Sequence, residues 1–432
     1  MSTSGVKNRG WMVTFAGMGI NLALGILYTW SIFKGAIAKS IESGGEGAFN
    51  WELAALNDPY AVCCIVFAFA MILAGRCQDK LGPRITALMG GLLVGVGFTW
   101  ISTTTNYWAW VAGFGVLAGV GIGFGYSSAT PPALKWFPPA KTGLIAGLVV
   151  SGFGLASLYI APLSKYLLDI WGLQKAMMFF GLSFLFVVCG LSLLLTNPPK
   201  DYTAQQPAVS GKDAKTKPAP VQQEKNASAM IRTITFWKLW LIYFIGAGAG
   251  LMVIGSVAGM AQKSMGEAAF AVVAIMAIGN AGGRIIAGAL SDKIGRSTTL
   301  TIMLFSQALL MFACIPVMGS EHTSALILVV LATFIGFNYG TNLSLFPSIT
   351  KDLWGLKNFG LNYGVVFTAW GVGGFVMSRI SQMLKASSGD FNSSFILAGA
   401  LLIIGAALTF TLKGSEKRLA IARRQGNLKE AA

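Results

Sequence analysis

Residues 274–296 read AIMAIGNAGGRIIAGALSDKIGR, and the apolar run over 274–290 has one full charge, Arg284, near its middle. A charged side chain at the centre of a bilayer costs about 2.5–3.5 kcal/mol on insertion scales. No acidic residue lies within a helical turn of Arg284, and the side chain one turn back is the neutral Asn280. The compensating group is therefore a backbone carbonyl or an acid on another helix, or else it is a bound anion. We expect a bound anion.

The composition identifies a membrane protein that crosses the bilayer many times. Of the 432 residues, 54% are hydrophobic and only 11% are charged, which leaves too little polar surface for a soluble chain of this length. The 54 glycines are typical of helices that pack closely in lipid. The net charge of +16 is spread over short loops and tails without interleaved aromatic residues, so we exclude nucleic acid as a partner.

About 20 apolar residues cross a bilayer, and the pattern predicts an all-α membrane protein with twelve transmembrane helices in two six-helix bundles. A Pro-, Lys- and Gln-rich stretch interrupts the series, and we interpret it as a flexible linker. The predicted organisation is a bundle over 1–196, a cytoplasmic linker over 197–235, a bundle over 236–414 and a cytoplasmic tail over 415–432. The predicted spans, numbered one to twelve, are 11–38, 56–76, 85–104, 107–134, 142–168, 175–196, 237–262, 268–290, 298–319, 324–350, 359–384 and 392–412.

Basic residues set the predicted orientation. They concentrate in the loops after spans two and eight, in the linker and in the tail, whereas the loops on the other side hold few. The positive-inside rule then places both termini in the cytoplasm, with the chain in the cell inner membrane.

An internal repeat relates the two halves. The segment GRCQDKLGPR at 75–84 matches GALSDKIGR at 288–296, with the aspartates 213 positions apart. The same shift places GFGY at 123–126 on GFNY at 336–339, and a slightly longer one places GLIAG at 143–147 on GLNYG at 360–364. Two bundles of one architecture hold substrate between them, near the midplane, in transporters built from repeats.

The repeated charged segments are expected to form loops that act as a gate. Their candidate residues are Asp79, Arg84, Asp292 and Arg296. An aspartate in such a position pairs with an arginine or accepts hydrogen bonds from the amides of a helix N-terminus. Either contact would hold two spans together in one state and release them in another.

The doubled motif, the six-plus-six spans and the polar linker resemble the major facilitator superfamily. Five further segments resemble the oxalate/formate antiporter family and the related monocarboxylate transporters. They are ALGILYTWS at 23–31, KWFP at 135–138, NAGGR at 280–284, LFPS at 345–348 and NYG at 362–364. The resemblance implies that Arg284 binds the substrate carboxylate. It also places Trp370 where the oxalate exchanger has a second cation, and Asn280 where animal-type monocarboxylate transporters have an aspartate linked to proton coupling.

Other polar and aromatic groups are expected to line the pocket around Arg284. They lie on spans one, four, eight, ten and eleven, and each is equally able to bond a neighbouring helix instead. These candidates are Tyr28, Tyr126, Asn280, Asn338, Tyr339, Phe367 and Trp370. Lys34 is a candidate for proton coupling or for attracting the anion. Alternatively, it is a lysine whose side chain extends to the outer membrane–water interface. On an ideal helix Lys34 would not share a face with Tyr28.

These features predict a secondary active transporter of small monocarboxylates such as lactate, pyruvate or formate, working by alternating access. Proton coupling is expected, and the partners are the carboxylate anion and the lipid bilayer, with the chain a monomer. The alternatives are an oxalate/formate-type anion exchanger and a membrane nutrient sensor on a transporter fold. We find no catalytic set, metal cluster or nucleotide-binding loop in the sequence, so no enzyme activity, metal or cofactor is expected.

Overall fold

The computed structural model describes residues 8–45, 47–199, 202, 224–265, 269–318 and 324–425. Long helices dominate these residues, because only a helix satisfies its own backbone hydrogen bonds across lipid. In this part of the chain, eleven helices are long and apolar enough to cross a membrane. They are Gly10–Ser43, Ala55–Leu81, Pro83–Ile101, Tyr107–Trp136, Pro139–Ser192, Ile234–Ile254, Ala271–Ile294, Arg296–Val317, Ala325–Trp354, Phe359–Lys385 and Asn392–Leu412.

The fifth of these helices comprises two spans. Gly172 lies inside it with φ 74° and ψ 173°, values that no continuous helix adopts. Residues 142–171 therefore form span five and residues 173–192 form span six. The structure thus has a helix for each of the twelve predicted spans, and the predicted fold class is confirmed.

The charged segments after spans two and eight are not loops, and that expectation was wrong. The helices extend through them to Leu81 and Ile294, so Asp79 and Asp292 lie in the last helical turn. The chain turns one residue later, at Gly82 and Gly295, with φ values of 87° and 94°. Only glycine adopts such angles without strain, which explains the glycine in each repeat.

Two interfaces join the bundles, and glycine forms both. Span two packs against span eleven, and span five packs against span eight. A Cβ atom on Gly75 would lie 2.0 Å from the Gly360 carbonyl oxygen, and one on Gly143 would lie 2.1 Å from the Gly288 carbonyl oxygen. These are repeat-related positions, so the pseudo-symmetry read from the sequence is present in the packing.

Span one changes its helical geometry in the middle. Residues Gly25–Thr29 form a 3₁₀-helix between the α-helices Gly10–Leu24 and Trp30–Ser43. A Cβ on Gly25 would lie 2.3 Å from the Ala156 Cβ, so span one crosses span five closely at this point. The tighter turn changes the direction of the side chains that follow it.

The end of the predicted linker is structured. The Glu224 carboxylate accepts hydrogen bonds from the amides of Leu356 and Lys357, at 3.3 and 2.7 Å. Asn362 Nδ2 donates to the Lys225 carbonyl oxygen at 2.9 Å, and a short helix, Ala227–Ile231, follows. Most of the predicted linker and the end of the predicted tail lie outside the described residues, so the domain boundaries stay a prediction.

Candidate functional site

A cavity of about 660 Å³ lies between the bundles. Its lining residues on spans two, eight and eleven lie at the ends of these helices that are far from Asp79 and Asp292. The cavity therefore opens at the face of the molecule opposite these two aspartates. We call the face with Asp79 and Asp292 the motif face, and the other the open face. The lining includes Leu27, Tyr28, Ser31, Lys34, Asp58, Tyr60, Cys64, Ser157, Met252, Met276, Ala277, Asn280, Trp370, Phe375 and Arg379.

Arg284 lies directly behind the wall of this cavity. Its side chain is 0% exposed. Nε donates to Asn280 Oδ1 at 3.0 Å, and Nη1 donates to the Val150 carbonyl oxygen of span five. Nη2 makes no hydrogen bond to a described residue. The Tyr28 hydroxyl is close enough to interact with the guanidinium, and both Tyr28 and Asn280 line the cavity. One buried donor nitrogen therefore remains for an anion.

Three aromatic side chains form a hydrogen-bonded chain across the two bundles. The Tyr28 and Tyr339 hydroxyl groups are 2.8 Å apart, which joins span one to span ten. Trp370 Nε1 donates to the Tyr339 hydroxyl oxygen, also at 2.8 Å. The indole N–H is thereby occupied, so Trp370 presents its ring, and no free donor, to the cavity.

An aromatic cluster from both bundles lies at the inner end of the cavity. Phe367 stacks on Trp370 with ring centroids 5.0 Å apart, and Phe67 lies 5.1 Å from the Phe367 ring. Tyr126 lies 5.5 Å from both Phe153 and Phe367. Since Phe67, Tyr126 and Phe153 belong to the first half of the chain, these rings seal the path between the bundles towards the motif face.

The structure places the remaining predicted residues in two groups. Tyr28, Asn280, Trp370 and Lys34 line the cavity, whereas Arg284, Tyr126, Asn338, Tyr339 and Phe367 are buried behind its wall or in the aromatic cluster. Lys34 and Tyr28 line the same cavity, although an ideal helix would place them on different faces. The 3₁₀ segment of span one alters the helical phase, and a cavity of this width takes side chains from a broad arc of the helix.

Asp79 closes the interface between spans two and eleven at the motif face. Its carboxylate accepts hydrogen bonds from the amides of Gly360 and Leu361, at 3.0 and 2.9 Å. These amides begin span eleven, so the carboxylate also meets the positive end of the helix dipole. Arg84 does not pair with Asp79. Its Nε donates to the Leu195 carbonyl oxygen at 3.0 Å, within the same bundle.

Asp292 makes the equivalent contact at the interface between spans five and eight. Its carboxylate accepts from the amides of Gly143 and Leu144, each at 2.9 Å. In addition it forms an ion pair with Arg296 at 2.6 Å, and Arg296 Nε contacts Asp352 at 3.0 Å. The two repeat-related contacts thus differ, because the second also contains close ion pairs through Arg296.

Sequence reasoning missed several groups that shape the site. The Val150 carbonyl holds Arg284 but leaves no trace in the sequence, since every residue has a carbonyl. Phe67 and Phe153 are apolar residues in apolar spans, so nothing distinguishes them from lipid-facing side chains. Asp58, the first residue of the helix Asp58–Leu81, carries a charge next to an apolar run, and that signal could have placed it at the cavity mouth.

Two helical bundles around a cavity that is open at one face and sealed at the other define a multi-pass membrane protein of the transporter type. The chain belongs to the major facilitator superfamily, whose family model matches residues 10–378 and 272–430. The resemblance inferred from the sequence is confirmed, and this is a family of transporters, not of enzymes.

Three similar proteins show which members of the superfamily this chain resembles in sequence. The chain is 28% identical to the oxalate:formate antiporter of Oxalobacter formigenes, over 95% of this chain and 93% of that one. It is 29% identical to the MFS-type transporter YhjX of Escherichia coli (strain K12), over 86% and 88%. It is 25% identical to human monocarboxylate transporter 11, over 92% and 81%.

Among solved structures, the fold matches that of the major facilitator transporter FucP, titled as being in the outward conformation. The TM-score is 0.59 with 16% sequence identity, and the match covers 90% of this chain and 98% of that one. At this level of identity the match concerns the fold alone.

Proposed function

We propose that this protein is a secondary active transporter of small monocarboxylates, which it moves by alternating access between the two bundles. The observation that carries the proposal is the free Nη2 of Arg284, a buried donor on a fixed cation directly behind the cavity wall. Its other nitrogens are held by Asn280 Oδ1 and the Val150 carbonyl oxygen, so the guanidinium is fixed in place before an anion arrives. A carboxylate matches that geometry and charge.

The surroundings of Arg284 favour one carboxylate over two. The Trp370 N–H is used by Tyr339, and the cavity lining includes apolar side chains such as Met276 and Ala277. A second carboxylate held among these apolar side chains would lie unpaired, which is costly in a low-dielectric site. A single carboxylate with a small organic body, as in lactate, pyruvate or formate, avoids that cost.

The structure, with its cavity open at one face, fits the outward-facing state of the proposed transport cycle. The basic residues near the motif face support a cytoplasmic position for that face and for both termini. A monomer in the cell inner membrane is part of the proposal. The cavity then opens outward, ready to take up substrate. Proton coupling is part of the proposal, but Asn280 cannot carry the proton.

Substitution of Arg284 tests this function. We expect Arg284→Ala to abolish uptake of labelled lactate, pyruvate and formate in proteoliposomes. Arg284→Lys should lose at least about tenfold, because a point charge cannot reproduce the three directed N–H donors. Arg76→Ala is the matched control, since Arg76 is exposed near the motif face. Uptake by Arg284→Ala at the rate of the control would refute the assignment.

The similarity to the oxalate:formate antiporter favours anion exchange as the second candidate. Counterflow separates the two functions. Under exchange, internal oxalate accelerates uptake of labelled monocarboxylate and a pH gradient has no effect. Under proton-coupled symport, an inward proton gradient accelerates uptake and internal oxalate does not.

A further inference from the structure

Spans two and eleven pack in one antiparallel register. A Cβ on Gly75 would lie 2.0 Å from the Gly360 carbonyl oxygen, and one on Gly364 would lie 2.3 Å from the Met71 carbonyl oxygen. A Cβ on Gly371 would lie 3.6 Å from the Cys64 carbonyl oxygen. Towards the open face, the residue number of each contact thus falls in span two by as much as it rises in span eleven.

Continued towards the open face, this register brings Asn57 opposite Ser378, and both residues line the cavity mouth. Asp58 and Arg379 are each the next residue in sequence. On each helix the next residue is rotated about the helix axis by the same angle and in the same sense, because both helices are right-handed. In an antiparallel pair, these two rotations bring both side chains to the same side of the interface between the helices. Asp58 and Arg379 indeed both line the cavity. Opposite charges from the two bundles therefore face the same space.

These two residues do not form an ion pair in the open-mouthed state described here. Asp58 Oδ2 accepts a hydrogen bond from the Tyr107 hydroxyl at 2.7 Å, within its own bundle. Arg379 is exposed, and the ion pairs found among the described residues do not include it. At the other end of the same two helices, Asp79 already holds the Gly360 amide.

We propose that Asp58 and Arg379 form the ion pair that closes the cavity mouth when the transporter changes to its other state. Spans two and eleven would then carry one carboxylate contact at each end, Asp79 at the motif face and Asp58 at the open face, made in alternation. Tyr107 keeps Asp58 in place while the mouth is open. The inference rests on the proposed alternating access, but it does not depend on which anion is carried.

Lys34 is the competing partner for Asp58, since it also lines the cavity. Lys34 lies on span one, in the same half of the chain as Asp58, so a pair between them would leave the mouth open. Any test must separate these two cations.

Cross-linking tests the closure directly. In a full-length chain with its five native cysteines replaced by serine, Asp58→Cys is combined with Arg379→Cys. Mild oxidation in proteoliposomes should join the two cysteines, and reduction should separate them again. In the control, Lys34→Cys with Arg379→Cys, we expect at most about one tenth of the cross-linked product. No cross-link in the first pair, or equal yields in both, would overturn the proposal.

Charge reversal tests the ion pair itself. Asp58→Arg and Arg379→Asp should each reduce transport at least about tenfold, and the double variant should regain most of it. In a Lys34→Gln background, the double variant should still exceed each single variant by the same factor, whatever Lys34→Gln does to the overall rate. Failure of the double variant, or rescue of Asp58→Arg by Lys34→Asp instead, would contradict the assignment. Because cross-linking reports movement without any substrate, loss of the Arg284 assignment would not affect its outcome.

Discussion

Arg284 is buried between the bundles, and its hydrogen-bond partners among the described residues are neutral. Asn280 Oδ1 belongs to its own helix and the Val150 carbonyl to the other bundle, so the cation is held by dipoles and not by a counter-ion. Dipoles fix the direction of the guanidinium but do not cancel its charge. A charge of this kind attracts an anion from the cavity more strongly than one already paired would. Arg284 also contacts both bundles, so anything that binds it influences their relative position.

Asn280→Asp is expected to make uptake strongly pH-dependent. An ionised aspartate one turn from Arg284 would pair with it and exclude the substrate carboxylate, whereas a protonated one would not. Uptake should therefore persist at low pH and decline as the pH rises through the titration of the new carboxyl group. Initial uptake rates between pH 4 and pH 8 measure this, with Asn280→Ala as the uncharged control. Parallel pH profiles for the two variants would show that position 280 does not control access to Arg284.

At the scale of the helices, glycine determines how closely spans five and eight approach. A Cβ on Gly147 would lie 2.2 Å from the Arg284 carbonyl oxygen, which is backbone and cannot move aside. The small-xxx-small spacing of Gly143 and Gly147 is a common basis for close helix contact in lipid. The arginine is therefore placed by the backbone of the facing helix as well as by its own helix.

Gly147→Val should abolish transport and lower the melting temperature, because span five can no longer approach Arg284. Gly190→Val is the matched control, since no atom lies within 4 Å of a Cβ at that position. Thermal unfolding in detergent and uptake in proteoliposomes report the two effects separately. The packing argument fails if both variants melt and transport alike.

At the scale of the whole molecule, the motif face is closed by four repeat-related hydrogen bonds that Asp79 and Asp292 accept. Each carboxylate accepts from the first amides of a helix in the opposite bundle, at 2.9–3.0 Å. An amide side chain at these positions would lose the charge that strengthens such bonds. The balance between the two states of the transporter therefore depends on these two residues.

The double variant Asp79→Asn with Asp292→Asn should shift the molecule towards the state with a closed mouth. Cys64 lines the cavity and reports on the mouth, so its labelling by a membrane-impermeant thiol reagent should slow at least about threefold. Cys314 is buried, and its labelling provides the baseline. Unchanged or faster labelling of Cys64 would mean that the motif contacts do not hold the open-mouthed state.

Sequence patterns located the spans, the repeat and the lone cation because each depends on local composition. They did not show that the motif residues lie within helices, since a charged turn at the end of an apolar helix has the composition of a loop. They also did not show that Lys34 and Tyr28 line one cavity, because the 3₁₀ segment of span one is not visible in the sequence. Irregular helical turns arise from packing against neighbours and carry no consistent residue pattern.

The sequence by itself determined the class of the protein, its twelve spans and the presence of a lone cation, Arg284, within a span, since the cost of polar groups in lipid is large and depends only on residue type. The tertiary structure decided which groups satisfy Arg284, which residues line the cavity and which face is closed. Those outcomes depend on contacts between residues more than a hundred positions apart, such as Arg284 with Val150 and Asp79 with Gly360. Only the packing of the helices brings such residues together.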